Sequence, residues 1–165
     1  MSRNASRKHL ATFVLILSSL WSMASLAGQS GNADPPATDP IPATHLVQPS
    51  ALAQSLASGT EQPLIFQVGS RMLFAQAHIP GSVYVGAAGQ PEGLHALEQR
   101  VRALKRNRHI VIYCGCCPWP KCPNIREAYR KLAALGFTHV QVLYIAENFG
   151  TDWVDRGFPV AGGEP

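Results

Sequence analysis

The chain has 165 residues, with 14 Lys and Arg, 10 Asp and Glu and four cysteines. Three of the basic residues and none of the acidic ones fall in the first 27 positions, so the remainder carries a net charge of +1 and has no general electrostatic reason to bind nucleic acid. About 138 residues follow position 27, enough for one ordinary domain with a sizeable core, so the cysteines are not needed as staples.

Arg3, Arg7, Lys8 and His9 precede an apolar run from Leu10 to Leu20 and the small-residue stretch Ser25-Leu26-Ala27. That order predicts a secretory signal peptide over 1–27, cleaved after Ala27 and leaving no membrane anchor, because a spanning helix needs about 20 apolar residues. The expected location is periplasmic or secreted. Residues 28–44 are rich in Gly, Ser, Pro and Asp and poor in large apolar side chains, which predicts a flexible linker. The domain is then expected over 45–165.

Pro49 and Gly59 bracket a short helix with Leu52 and Leu56 on one face. Leu64-Ile65-Phe66-Gln67-Val68, between Pro63 and Gly69, predicts a strand buried on both faces, and Ser82 to Val85 another. Leu94, Leu97, Val101 and Leu104 recur at helical spacing between Gly93 and Arg106, opposite a basic cluster of Arg100, Arg102, Lys105, Arg106 and Arg108 that is expected to be a solvated helix face. His109 to Tyr113 reads as a buried strand, Asn124 to Leu135 as a helix ended by Gly136, and His139 to Tyr144 as a further strand. This alternation predicts an α/β fold, a largely parallel sheet with helices on both faces.

Cys114, Cys116, Cys117 and Cys122 fall within nine consecutive positions. Disulfide scaffolds spread their cysteines along the chain, so this clustering points to a local site. Cys114 directly follows a predicted strand, and its loop leads into a helix N-terminus, where free N–H groups and the helix dipole favour an anion and lower a thiol pKa. Lys121 and Arg126 add positive charge. A nucleophilic thiolate acting on an anionic substrate is the chemistry this pattern supports.

The chain resembles the rhodanese-like domains of the sulfurtransferase superfamily. The resemblance rests on Leu64 to Val68 as first core strand, His78-Ile79-Pro80-Gly81-Ser82, Ile110 to Cys114 as strand and catalytic cysteine, Leu135-Gly136-Phe137 with the strand from His139 to Leu143, and Trp153 with Gly157-Phe158-Pro159-Val160. It implies a three-layer fold and a persulfide on Cys114. Loop N–H groups such as that of Gly115, with Arg126, Lys121 and Trp119, would bind substrate, and Cys117 or Cys122 would act as resolving or alternative nucleophile. The implied partner is a small sulfur-containing anion or a thiol or persulfide acceptor, with no cofactor and a monomeric chain. Two departures stand out: Gln67-Val68-Gly69 replaces the family's Asp-Val-Arg, and Gly115 to Pro123 makes the catalytic loop several residues too long, with three extra cysteines and three prolines.

Three other readings of the loop stay open. Cys114-Gly115-Cys116-Cys117 has the C-x-x-C spacing of a thiol–disulfide redox protein. Several thiolates could hold Zn or Cu(I), although no His lies in the loop. A catalytically silent binding module would use the cysteines as structural disulfides. His78 is read as fixing a turn, Trp153 as core, and His109 and His139 as structural residues at strand starts.

Overall fold

Five short strands form one parallel sheet in the order β1-β5-β4-β2-β3: β1 Leu46–Val47, β2 Leu64–Gln67, β3 Val83–Tyr84, β4 Ile110–Tyr113 and β5 Val140–Leu143. The computed structural model describes residues 41–59 and 62–164. The expected signal peptide and most of the expected linker lie outside the described residues. From Ile41, however, the chain belongs to the fold: Ile41 packs in the core and Ala43–His45 form a 3-10 turn. Among the described residues no helix is long and apolar enough to cross a membrane.

The central position of β4 explains its composition. All four of its residues, Ile110 to Tyr113, are buried, as a strand covered on both faces requires. Alternation divides them between two cores. Ile110, Ile112 and Cys114 join Phe66, Val68, Val140 and Val142 beneath one helical layer, and Val111 and Tyr113 join Ile65 and Leu143 beneath the other.

The first layer consists of α3 (Pro91–Val101) and α4 (Pro123–Ala134), which bury Leu97 and Val101 and Ile125, Ala128 and Leu132. The opposite layer holds α1 (Pro49–Ser58), through Leu52 and Ala53, and a π-helical turn, Gly150–Val154, through Trp153. Each of α1, α3 and α4 starts with proline at its first position, where a missing N–H costs nothing. The Trp153 indole N–H donates to the Pro159 carbonyl at 2.8 Å, tying the chain's end to this layer.

Two expectations need correction. The helix expected to reach Arg106 ends at Val101. The Arg106 guanidinium turns back onto the Val101 and Leu104 carbonyls and lies 4.7 Å over the Phe137 ring, satisfying carbonyls the helix end leaves open. Arg108 donates to the Gln62 carbonyl at 2.7 Å. Part of the basic cluster therefore braces the fold and is not a uniform solvated stripe. A short helix that the sequence did not predict, α2 (Arg71–Gln76), follows β2 and buries Phe74.

Candidate active site

Cys114 sits at the carboxyl end of the central strand, where open parallel sheets place their functional crevices. Gly115 then turns the chain with φ 88°, a conformation that favours glycine, and Cys116 folds back until its Sγ lies 3.2 Å from that of Cys114. The Cys117 Sγ lies a further 3.2 Å beyond, against Cys116. Trp119–Lys121 form a 3-10 turn that returns the chain to Cys122, the N-cap residue of α4. The sulfurs of Cys114, Cys116 and Cys122 all lie within 4.8 Å of one another. All four cysteines are free thiols.

The Cys114 thiol is 2% exposed, and burial alone would raise its pKa. Hydrogen bonds reverse that outcome. The Cys122 thiol contributes most, followed by the Cys116 backbone N–H, the Asn124 side-chain amide at 3.2 Å and the Cys116 thiol, and together they bring Cys114 from 9.0 down to about 6. The neighbours move the other way. Burial, with the hydrogen bonds to Cys117 and Cys114, pushes Cys116 up to about 12, and the hydrogen bond to Cys114 raises Cys122 strongly. At neutral pH one thiolate is therefore solvated by protonated thiols and amides. Cys114 is the thiol of the cluster whose pKa is brought down.

Asn124 links two loops, because its Oδ1 accepts from the Gly89 N–H at 2.7 Å while its amide donates to Cys114. Asn124→Asp keeps the acceptor, removes the donor and adds a negative charge, all of which disfavour the thiolate. The midpoint for alkylation of Cys114 by iodoacetamide, followed by peptide mapping, is expected near pH 6 in the parent and at least about one unit higher in the variant. An unchanged midpoint would count against this account of the thiolate.

Gln67 and Gly69 give the first departure from the family pattern, Gln67-Val68-Gly69, a physical role. The Gln67 amide, 2% exposed, donates to the Cys114 carbonyl at 2.9 Å and to Ser70 at 3.3 Å, and its oxygen accepts from the Gly69 N–H. A neutral amide thus anchors the Cys114 turn from the neighbouring strand. Gly69 makes room for the thiol itself: a Cβ there would lie 2.6 Å from the Cys114 Sγ.

Cys114 lines a cleft of about 280 Å³ together with Gln67, Leu73, Ala77, Tyr113, Gly115, Cys116, Phe149 and Val154, with Gln76, Asn148 and Gly150 completing it. No charged side chain is among these described residues. Lys121, Arg126 and Trp119 do not line it. Arg126 spends a guanidinium N–H on the Pro120 carbonyl at 2.7 Å, Lys121 is exposed, and Trp119 packs against Tyr144 with its backbone N–H on Ile145. These three shape the long loop. His78 stacks on Phe74 at 3.9 Å and places Nδ1 on the Phe74 carbonyl, while His109 and His139 stack on each other at the opposite ends of their strands from Cys114. Asn124 was read only as a helix start and Gly69 only as a strand boundary and part of a departure from the family pattern, and the sequence reading missed Asn148 and Phe149 altogether. The only available signal for the last two was their position after the end of β5.

A parallel α/β domain that presents one acidified, buried thiol at the end of its central strand is a scaffold for thiol chemistry. The family model for the rhodanese-like domain matches residues 48–144, and the chain belongs to that family. Its fold is similar to that of a Bacillus halodurans protein, 22% identical over 72% of this chain and 77% of that one, TM-score 0.54. An Anabaena sp. protein is 20% identical over 71% and 92%, TM-score 0.55. An EanB variant solved with a cysteine persulfide and ergothioneine is 21% identical over 70% of this chain but 27% of its own, TM-score 0.54. No curated protein matches the chain significantly.

Proposed function

We propose that the domain carries sulfane sulfur as a persulfide on Cys114. The observation that carries this reading is a thiol with its pKa brought down to about 6 by converging donors, at the head of a cleft. The thiolate attacks the outer sulfur of a persulfide R–S–SH. The Cys114–S bond forms, the S–S bond of the donor breaks, and R–S⁻ leaves. A nucleophilic acceptor then takes the outer sulfur and restores the Cys114 thiolate, with no net oxidation. The likeness to EanB, whose variant was solved with a persulfide, agrees with this chemistry.

The cleft lining favours an organic, weakly charged donor. Leu73, Ala77, Phe149 and Val154 offer apolar surface, and Gln67, Gln76 and Asn148 offer amides. A dianion such as thiosulfate would find no cation there to offset its desolvation. The test compares kcat/KM for an organic persulfide and for thiosulfate at equal pH. A preference for the organic donor of at least about tenfold is expected, because desolvating an unpaired charge costs more than 1.4 kcal/mol. A preference for thiosulfate would overturn the assignment of donor class.

The 3.2 Å contact between Cys114 and Cys116 favours a second route for the same intermediate. The Cys116 thiol attacks the Cys114 Sγ as its proton passes to the leaving sulfide, forming a Cys114–Cys116 disulfide and expelling H2S, and an external dithiol reductant resets the pair. This makes Cys116 the resolving residue, in place of the expected Cys117 or Cys122. Cys116→Ser is expected to load sulfur on Cys114 yet release no sulfide without an added thiol. Undiminished sulfide release by the variant would assign resolution elsewhere.

A further inference from the structure

The resolving route uses two thiols, and the third close sulfur, Cys122, has no part in it. We propose that Cys114, Cys116 and Cys122 form a three-thiolate site for Cu(I). The site stands apart from the sulfur-transfer reading, and only its competition with sulfur loading rests on that reading.

Geometry carries the proposal. Metal–sulfur bonds of about 2.3 Å set the sulfurs of a trigonal site about 4 Å apart, and these three lie within 4.8 Å of one another before any ion is bound. Their positions are fixed from two directions. Cys114 and Cys116 come from the end of β4 through the Gly115 turn, and Cys122 comes from the start of α4. Cys114 and Cys122 are buried in the same core, 2% and 0% exposed, so little ordering remains to be done on binding.

Donor chemistry selects the ion. Thiolates are soft ligands that suit Cu(I) and Zn. Structural zinc is almost always four-coordinate, and no His, Asp or Glu joins the three sulfurs among the described residues. The remaining neighbour of Cys114, the Asn124 amide, offers an N–H and not a lone pair. The fourth thiol, Cys117, touches Cys116 but lies outside the group whose sulfurs are all within 4.8 Å of one another, and three sulfurs fit trigonal Cu(I) better than tetrahedral zinc.

Electrostatics agrees. Cu(I) with three thiolates carries a net charge of −2, and it would lie at the N-terminus of the 12-residue α4, whose open N–H groups and dipole favour an anion. Cys116 and Cys122 each release a proton on binding, because a coordinated thiol is deprotonated by the ion's own charge. The bound ion takes the lone pairs of the nucleophile. Metal occupancy and sulfur loading at Cys114 therefore exclude each other.

The test uses reduced full-length protein, titrated anaerobically with Cu(I) against bicinchoninate, with copper X-ray absorption on the loaded protein. One Cu(I) per chain is expected, with three sulfur neighbours at about 2.3 Å. Two sulfurs, or no retention against the chelator, overturns the site even if the metal-free protein loads sulfur normally. A three-sulfur copper centre in a protein that takes no sulfur would leave the site standing and remove the transfer reading. Cys122→Ser should weaken binding by at least about tenfold, while Cys117→Ser stays within about threefold. The reverse order would place the copper on the vicinal pair, and the neighbour count on the parent protein decides the matter should Cys122→Ser fail to fold.

Discussion

Cys114→Ser is expected to abolish sulfur loading while leaving the fold intact. The serine hydroxyl matches the shape of the thiol within the same cluster of donors, yet it is not ionised near neutral pH and cannot hold a persulfide. Neither Cys122 nor Cys116, the thiols that share the cluster with Cys114, is placed to substitute. Cys122 is fully buried and its pKa is strongly raised. Cys116 stands at about 12, mainly through burial. Removing Cys114 takes away part of that rise, because a neighbouring thiolate contributes to it, but the hydrogen bond with Cys117 remains. The rate of sulfur uptake from an organic persulfide should fall to the uncatalysed background, with an unchanged thermal melt. Uptake at a tenth of the parental rate or more would show that another cysteine is the nucleophile.

Gly69→Ala should impair the same step without touching the nucleophile. The added Cβ would lie 2.6 Å from the Cys114 Sγ and 2.9 Å from the Cys114 carbonyl oxygen. The second neighbour is backbone and cannot swing aside, and the thiol can move only by leaving its hydrogen bonds to Asn124 and the Cys116 thiol. Overpacking of this kind costs about 1–3 kcal/mol of stability, and misplacing a reacting atom by about 1 Å costs on the order of 100-fold in rate. The variant is thus expected to melt lower, to load sulfur about 100-fold more slowly, and to show a raised alkylation midpoint at Cys114. Normal loading would mean that the turn tolerates a side chain and that Gly69 is not what admits the thiol.

Much of the fold was legible because the longer parallel strands are largely buried on both faces, and the first of them is bracketed by Pro63 and Gly69. Leu64 to Gln67, Ile110 to Tyr113 and Val140 to Leu143 stand out as apolar runs for that reason. Of the two edge strands, Val83–Tyr84 falls within the expected Ser82 to Val85, whereas Leu46–Val47, also two residues long, carries too little pattern to be read. Helix α2 escaped because Arg71 to Gln76 is a single short stretch with one buried residue, Phe74, too brief for a helical period to repeat. The end of α3 was misplaced because Leu104 continues the apolar spacing, whereas Arg106 closes the carbonyls of Val101 and Leu104 from outside the helix.

The site was legible as a cluster but not as an arrangement. Nine positions with four cysteines announce a local thiol centre, yet which sulfurs meet depends on the Gly115 turn and the Trp119–Lys121 turn, neither of which has a periodic signature. Formal charge misled in the same place. Lys121 and Arg126 lie near Cys114 in sequence, but the loop spends Arg126 on its own Pro120 carbonyl, and neutral donors stabilise the thiolate instead. Gln67 shows the converse, a departure from the family pattern whose role became clear only with its bond to the Cys114 carbonyl.

The most direct test of the account is to locate the sulfur. Reduced full-length protein is incubated anaerobically with an organic persulfide, quenched with an alkylating agent, and mapped by peptide mass spectrometry. The account predicts one added sulfur, on Cys114, that a thiol acceptor removes. A loop that gains no sulfur, or gains it on another cysteine while Cys114 stays unmodified, would contradict it.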